Sequence, residues 1–147
     1  MDDVVTVSRP NDADYQRLLE FRTGLRRFLR WSEDQARLQG VTPAQHQLLL
    51  AVRGHPDPAG PSIKEIAGYL ALRHHSAVGL IDRAAAAGLV ARVPDDEHHG
   101  TVHITLTDAG RSCLEALAEL HMSELVRLAP TMEALWKSLR EQEAAGG

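Results

Sequence analysis

The first forty residues place apolar and polar positions at the spacing of an amphipathic helix. The helix is predicted to begin at Asn11 or Asp12, either of which can cap it, and to end near Gln39. At about seven turns it is longer than an average helix, so we expect it to pack against something beyond its own chain. Its apolar face consists of Leu18, Phe21, Leu25 and Phe28, widened by Leu29 and Trp31.

A second, buried helix follows, and a stiff loop separates it from the middle of the chain. Thr42 and Gln45 have the spacing of a capping box around Pro43, which suits the first helical position. This helix is predicted to end near Arg53. Residues 54–61 contain three prolines and two glycines, so they are predicted to form a surface loop.

Residues 62–107 combine two short helical patterns with a strand-like alternation. Ser62 and Glu65 have the spacing of a second capping box, which predicts the start of a helix. After a break at 71–73 another helix is predicted, and the alternation over 102–106 predicts a strand. Helix, tight turn, helix and hairpin form the pattern of a winged helix-turn-helix, which predicts a DNA-binding module. The buried stripe of the second helix is predicted to contain Ala77, Ile81, Ala84 and Gly88.

The last forty residues predict two further helices. Thr107 is expected to cap the first of them, and Pro130 is expected to end or kink it. The second is predicted to run from Thr131 to about Gln142. A flexible tail is predicted at 144–147 and a flexible arm at 1–10.

These elements predict one mainly α-helical domain with a small β-hairpin wing, spanning residues 11–143. Residues 62–106 would be the winged helix-turn-helix lobe. The helical segments 11–40 and 107–143 carry more apolar surface than a lobe of this size needs. We therefore predict a homodimer joined through the N- and C-terminal helices, with a two-fold axis that matches a palindromic DNA site. Packing within one chain is the alternative explanation of that apolar surface.

Composition narrows the setting in which such a protein works. The chain has one cysteine, so no internal disulfide can form and a reducing cytoplasm fits best. It shows no signal-peptide pattern and no apolar run that could span a bilayer, so we predict a cytoplasmic protein without a membrane partner. The net charge of −4 is unfavourable for binding phosphate backbones. The first helix nevertheless concentrates positive charge at Arg17, Arg22, Arg26, Arg27 and Arg30.

In arrangement and motifs the chain resembles the MarR family of bacterial transcription regulators over roughly residues 12–142. The motifs that carry the resemblance are Ser62-Ile63-Lys64-Glu65-Ile66-Ala67, Leu80-Ile81-Asp82-Arg83, Gly88-Leu89-Val90 and Leu106-Thr107-Asp108-Ala109-Gly110. The resemblance implies an obligate dimer, recognition helices in successive major grooves and wings that reach the flanking minor grooves. It also implies relief of repression by small phenolic or other aromatic molecules.

The face of the predicted recognition helix opposite its buried stripe would meet double-stranded DNA. Imidazole and hydroxyl groups on that face can bond base edges or phosphates, and Val78 could meet a thymine methyl group. Gly79 departs from the family, which often has a polar or basic residue there, so it either removes a contact or lets the helix approach DNA more closely. The candidate DNA-binding residues are Ser62, Lys64, Arg73, His74, His75, Ser76, Val78, Gly79, Arg83, His98 and His99.

The predicted wing departs further from the family, whose wing tip usually carries an arginine for the minor groove. The corresponding stretch, residues 95–100, is acidic and contains two histidines but no arginine. One hypothesis is that His98 or His99 replaces the arginine when protonated, and also pairs with Asp82. DNA affinity would then rise as the pH falls. The rival hypothesis is that this wing contributes little.

Other kinds of site and function have less support in the sequence than DNA binding. Phe28, Arg30, Trp31 and Leu49 are candidates for lining a small-molecule pocket, where the arginine could meet an anionic ligand; the alternative is that the aromatics belong to the dimer core. The histidines lack zinc-site spacing, so neither a metal nor another cofactor is predicted. No catalytic constellation is present, so an enzyme is not expected. Cys113 is interpreted as a small core residue. The alternative function is a winged-helix protein–protein adaptor, which the acidic wing would suit.

Overall fold

The computed structural model describes residues 9–145, so the predicted arm at 1–10 lies outside the described residues except for Arg9 and Pro10. The described part is mainly helical, with one antiparallel two-stranded sheet. In chain order the elements are α1 (Asp12–Leu38), α2 (Pro43–Gly54), α3 (Ile63–Leu70), α4 (His74–Ala86), β1 (Val90–Pro94), β2 (Val102–Leu106) and α5 (Asp108–Ala145).

Both predicted capping boxes are present. Thr42 accepts from the Gln45 N–H at 3.1 Å, and the Gln45 side chain accepts from the Thr42 N–H at 3.0 Å. Ser62 and Glu65 make the same reciprocal pair at 3.2 and 3.1 Å. The N–H of Ser62 also lowers the pKa of the Glu65 carboxyl, because it stabilises the charged form. These contacts set where α2 and α3 begin.

The chain divides into two compact units, and residues 32–120 make up the larger. Its core gathers one side of every helix in the unit and one side of the hairpin. The strands pair with Val90 opposite Leu106 and Pro94 opposite Val102. The Ile104 N–H also donates to the Pro61 carbonyl at 2.9 Å, which ties the loop before α3 to β2. The largest completely buried side chains of this unit are Leu48, Leu49, Pro61, Ile66, Ile81, Ile104 and Leu117.

The second unit comprises residues 1–31 and 121–147, of which 9–31 and 121–145 are described. Here the first part of α1 packs along the last part of α5. The rings of Phe21 and Trp136 lie 5.8 Å apart, and Arg17 Nε donates to Ser138 Oγ at 3.0 Å. Among its described residues Leu135 is the one buried side chain. This unit therefore has almost no core of its own.

The prediction that Pro130 separates two helices is wrong. Pro130 lies inside α5, which continues from Asp108 to Ala145. A proline inside a helix removes one backbone hydrogen bond and costs about 3 kcal/mol. The packing of Trp136 and Ser138 against α1 gives the segment after the proline contacts that can offset this cost. Ala144 and Ala145 also belong to α5, and the rest of the predicted tail lies outside the described residues.

Candidate nucleic-acid interface

The α4 helix separates a buried face from an exposed one, as its pattern predicts. Ala77, Ile81 and Ala84 are completely buried, and Leu80, which the prediction left out, is buried beside them. Gly88 is exposed and follows the helix with φ of 75°, a conformation that favours glycine, so it belongs to the turn rather than to the buried stripe. The opposite face presents His74, His75 and Arg83 exposed, with Ser76, Val78 and Gly79 partly exposed.

The first turn of α4 offers hydrogen-bond donors. Arg73 occupies the N-cap position in an extended conformation, and no side chain caps the helix there. The backbone N–H groups of His74, His75 and Ser76 precede the first intrahelical bond, which the Ala77 N–H makes to the Arg73 carbonyl at 3.0 Å. Free N–H groups at a helix start suit a phosphate. Backbone and imidazole donors thus lie at the same end of α4.

The start of α3 adds hydroxyl and ammonium groups. The Ser62 hydroxyl oxygen accepts from the Glu65 N–H, and its own hydrogen remains available to donate. Lys64 is exposed in the first turn of α3, and Arg73 is exposed before α4. All three types of group can contact a DNA backbone.

Gly79 and Arg83 are neighbours along the exposed face of α4. A Cβ added to Gly79 would lie 3.2 Å from Nη1 of Arg83, so the guanidinium rests over the position where a side chain would begin. The missing side chain therefore gives Arg83 room to lie along the helix.

The wing tip carries the two histidines predicted there, but not the predicted pairing with Asp82. His98 Nδ1 lies 3.5 Å from Oδ2 of Asp95, a residue of the same turn, and the His98 side chain is 73% exposed. His99 is also exposed. Asp82 is instead bound by Arg92 of β1, whose Nη2 lies 2.6 Å from Asp82 Oδ1. No sequence pattern indicates this pair, because its members lie on different elements.

His103 is a residue of the wing whose role the sequence did not indicate. Its Nδ1 lies 2.8 Å from the Gly60 carbonyl oxygen, and its Nε2 lies 2.9 Å from Asp95 Oδ2. The hydrogen bond to Asp95, and then the one to Gly60, raises the pKa of His103. The hydrogen bond from His103, and then the Glu97 N–H, lowers the pKa of Asp95 to about 2. The alternation of core-facing and outward-facing residues in β2 indicated only that the His103 side chain points away from the core.

A groove of about 680 Å³ lies between α1 and α5 within residues 9–31 and 121–145. Phe28 and Trp31 line it, with ring centroids 6.0 Å apart, but Arg30 does not. Its cations are Arg27 and Arg127, and Arg127 is held by Glu124 at 2.6 Å. This ion pair lowers the pKa of Glu124.

The charge of that groove is balanced, because Glu20 and Glu124 accompany its two arginines. An anionic ligand therefore gains no net attraction there. Leu49 is completely buried in the core of residues 32–120 and presents no surface to a ligand. Of the four predicted pocket residues, the structure thus brings together Phe28 and Trp31.

Neither a metal site nor a membrane span is present in residues 9–145. These residues contain no group of three or more histidine, cysteine, aspartate or glutamate side chains placed to hold a metal ion. No helix among them has the length and apolar character needed to cross a bilayer.

Comparison with known sequences shows which family the interface resembles. Residues 39–99, from the end of α1 to the wing tip, match the MarR family model. BadR of Rhodopseudomonas palustris, described as a transcriptional activatory protein, is 33% identical over 81 residues, which are 55% of this chain and 46% of that protein. The matched region spans about half the length of that relative.

Solved structures share the architecture over most of the chain. A MarR family transcription regulator has a TM-score of 0.74 at 22% identity, covering 92% of this chain and 89% of that one. A mutant of MepR from Staphylococcus aureus bound to an oligodeoxyribonucleotide has a TM-score of 0.65 at 17% identity, covering 90% and 98%. At these identities the likeness establishes the fold, and the predicted winged helix-turn-helix architecture is confirmed.

Proposed function

We propose that the chain is a member of the MarR family of transcription regulators and a sequence-specific regulator that binds double-stranded DNA. Proteins of this family are regulators and not enzymes, as predicted for this chain. The observation that carries the proposal is the division of α4 into a buried face and a face that exposes His75, Ser76 and Arg83. A helix anchored in this way can enter a major groove without disturbing the core.

We further propose that Ser62, Lys64, Arg73, His74 and the wing histidines contact the DNA backbone or the flanking minor groove. Backbone contacts position a protein on DNA, whereas contacts to base edges select the sequence. Specificity should therefore depend mainly on His75, Ser76, Gly79 and Arg83, with Val78 at the edge of the contact. The setting of this activity would be the cytoplasm.

Binding to DNA is tested by fluorescence anisotropy with the region upstream of the gene, at fixed salt and against a scrambled duplex. Arg83→Ala should weaken binding to the specific duplex by about 1–3 kcal/mol and reduce the preference over the scrambled one. Arg140→Ala, an equal change of charge in the last turns of α5, is the control and should leave the preference unchanged. Equal binding of both duplexes by the wild type would contradict the proposal.

A homodimer is proposed because the smaller unit exposes the apolar surface that a partner would bury. Its described residues have one buried side chain, Leu135, and ten exposed large apolar ones. Soluble monomers normally expose large apolar side chains singly, and ten of them in one small unit exceed that pattern. These residues are Tyr15, Leu18, Leu19, Leu25, Leu29, Met122, Leu125, Val126, Trp136 and Leu139. A two-fold dimer would match a palindromic operator.

The dimer is tested by sedimentation equilibrium of two charge-introducing variants. Leu19→Glu changes an apolar residue that is 69% exposed in the smaller unit, and Leu38→Glu changes one that is 79% exposed at the end of α1. We expect Leu19→Glu to weaken the dimer and Leu38→Glu to leave it intact. A monomeric wild type would rule the dimer out.

Repression, with release by a small aromatic ligand, is the direction of control that the family resemblance suggests. The groove lined by Phe28 and Trp31 is the proposed ligand site, and its size is in the usual range for small-molecule pockets. The relative BadR is described as an activator. A reporter gene behind the bound region, measured with and without the protein, decides the direction.

A protein–protein adaptor is the second candidate function, and the acidic wing tip Asp95-Asp96-Glu97 favours it. Three carboxylates at the point nearest a minor groove repel phosphates. An adaptor would show no duplex preference and no salt-dependent DNA binding in the same anisotropy assay, whereas a regulator shows both.

A further inference from the structure

We propose that His103 positions the wing: its protonated ring ties the wing tip at Asp95 to the turn before α3 at Gly60, and loss of the proton releases the tip. His103 is thus a positioning residue, which need not touch DNA itself. This inference rests on the proposed function, since the wing matters only if the lobe binds DNA.

The geometry of the ring requires two donors. Nδ1 faces the Gly60 carbonyl oxygen at 2.8 Å, and Nε2 faces the Asp95 carboxylate at 2.9 Å. A carbonyl oxygen and an ionised carboxylate are both acceptors only. A neutral imidazole has one N–H and can satisfy one of them, whereas the imidazolium satisfies both. The two contacts can therefore exist together only while the ring is charged.

One end of this link is firmly held. Gly60 has a φ of 95°, and a Cβ added there would overlap the Ile104 carbonyl oxygen, so the backbone of this turn lies directly against β2. The adjoining Pro61 accepts from the Ile104 N–H at 2.9 Å. Ser62, the N-cap of α3, comes next. His103 is thereby bound to the segment that begins the helix-turn-helix.

The other end of the link organises the tip. The Asp95 N–H donates to the Thr101 carbonyl at 2.9 Å, and the Asp95 carboxylate accepts from the Glu97 N–H at 2.9 Å. Asp95 thus closes the turn that presents His98 and His99. A contact that fixes the position of Asp95 therefore also fixes the turn at the wing tip.

The charges around His103 fix the direction of the pH response. Asp95 faces it from the wing tip and Asp57 from the loop before α3, and both favour the charged ring. His98, 3.5 Å from Asp95, competes for the same carboxylate when protonated. Because the hydrogen bonds to Asp95 and Gly60 raise the pKa of His103, its proton is lost only as the pH rises past the ordinary value near 6.5. The wing should be held at lower pH and released at higher pH.

Proton-coupled release differs from the hypothesis that His98 or His99 acts as a protonated substitute for arginine. Those side chains are exposed at the tip. His103 has a side chain that is 18% exposed, with both nitrogens already engaged. Substitutions at the two places therefore separate the two ideas.

The first test needs no DNA. Nitrogen NMR of the histidine rings in the intact protein should show His103 titrating above the ordinary histidine value near 6.5. Hydrogen exchange of the Asp95 and Thr101 amides should accelerate over the same pH range. In Asp95→Asn the His103 titration should move to lower pH, because its largest stabilising contact is lost. Titration of His103 at or below the ordinary value, or amide exchange that follows only the intrinsic pH dependence, would overturn the proposal.

The second test measures DNA affinity from pH 6 to 9 at fixed salt. The DNA affinity of the wild type should fall about tenfold over this pH range. This is about the smallest loss expected when one hydrogen bond to a charged group is broken. His103→Gln, which keeps one donor but cannot titrate, should lose most of this dependence, and His99→Gln should keep it. An unchanged profile in His103→Gln would overturn the positioning role. Absence of wild-type DNA binding at every pH would instead refute the proposed function, and the amide exchange would still decide whether His103 holds the tip.

Discussion

Arg92 Nη2 lies 2.6 Å from Oδ1 of Asp82, so an arginine of the first wing strand neutralises the acid next to Arg83 on α4. Both side chains are partly exposed, at 36% and 56%, and such pairs contribute at most about 1 kcal/mol to stability. The larger consequence is electrostatic. An uncompensated carboxylate beside Arg83 would repel the phosphates that flank a groove.

Arg92→Ala should therefore weaken DNA binding, while the free energy of unfolding should fall by at most about 1 kcal/mol. Removing Asp82 as well should restore much of the lost affinity, because the carboxylate that Arg92 neutralised is then gone. Anisotropy of wild type, Arg92→Ala, Asp82→Ala and the double variant, each at several salt concentrations, measures this cycle. If the double variant binds as weakly as Arg92→Ala, Arg92 contacts DNA directly and neutralisation is not its role.

Gly110, in the first turn of α5, is predicted to tolerate no side chain. A Cβ there would overlap the Leu89 carbonyl oxygen, a backbone atom that also accepts from the Thr107 N–H. Gly110→Ala should lower the free energy of unfolding by about 1–3 kcal/mol, the usual cost of overpacking. Gly68→Ala in α3, where a Cβ meets nothing within 4 Å, should raise it by roughly 0.5–1 kcal/mol. Urea denaturation of both variants checks this, and equal effects would contradict the steric argument.

The elements that could be predicted from the sequence are those governed by local rules. A capping box joins residues three positions apart, so Thr42 with Gln45 and Ser62 with Glu65 were visible in the sequence and are confirmed. The buried stripe of α4 follows from helical periodicity in the same way. The exceptions are Gly88, which lies in the turn after α4 and not in its buried stripe, and Pro130, where α5 continues.

The candidate site was less predictable because its contacts join distant positions. Gly60 and His103 are 43 residues apart, and neither a period nor a motif connects them. Arg92 and Asp82 lie on a strand and a helix whose relative placement depends on the core. Sequence patterns identified the exposed face of α4, but the pairing of Arg92 with Asp82 could be seen only in the tertiary structure.

Cys113 is predicted to react slowly with thiol reagents. Burial raises the pKa of its thiol, so little thiolate is present near neutral pH. Each unit of pKa lowers the thiolate fraction about tenfold at a pH well below the pKa. Reaction with a chromogenic disulfide at pH 7.5 should be slow and should speed up on unfolding in urea. The matched control is Ser112→Cys in a Cys113→Ala background, because Ser112 directly precedes Cys113 in α5 and is exposed. Equal rates at the two positions would show that Cys113 is not protected.

Gly79 is predicted to influence DNA recognition through Arg83. Gly79→Ala should stabilise α4 by roughly 0.5–1 kcal/mol, since alanine is the better helix former. Its Cβ would stand 3.2 Å from Arg83 Nη1, so the guanidinium must move by a few tenths of an ångström. We therefore expect a higher melting temperature together with weaker binding to the specific duplex.

Gly79→Ala made in an Arg83→Ala background distinguishes two explanations of how Gly79 affects DNA binding. If Gly79 acts by leaving room for the guanidinium, Gly79→Ala costs affinity in the wild type and nothing when Arg83 is already alanine. If Gly79 matters because its backbone approaches the bases, the substitution costs the same in both backgrounds, because the clash with DNA does not depend on residue 83. Thermal melts and anisotropy on the four proteins, with specific and scrambled duplexes, distinguish these outcomes. If Gly79 acts only through Arg83, the coupling energy between the two sites equals the whole effect of Gly79→Ala on affinity.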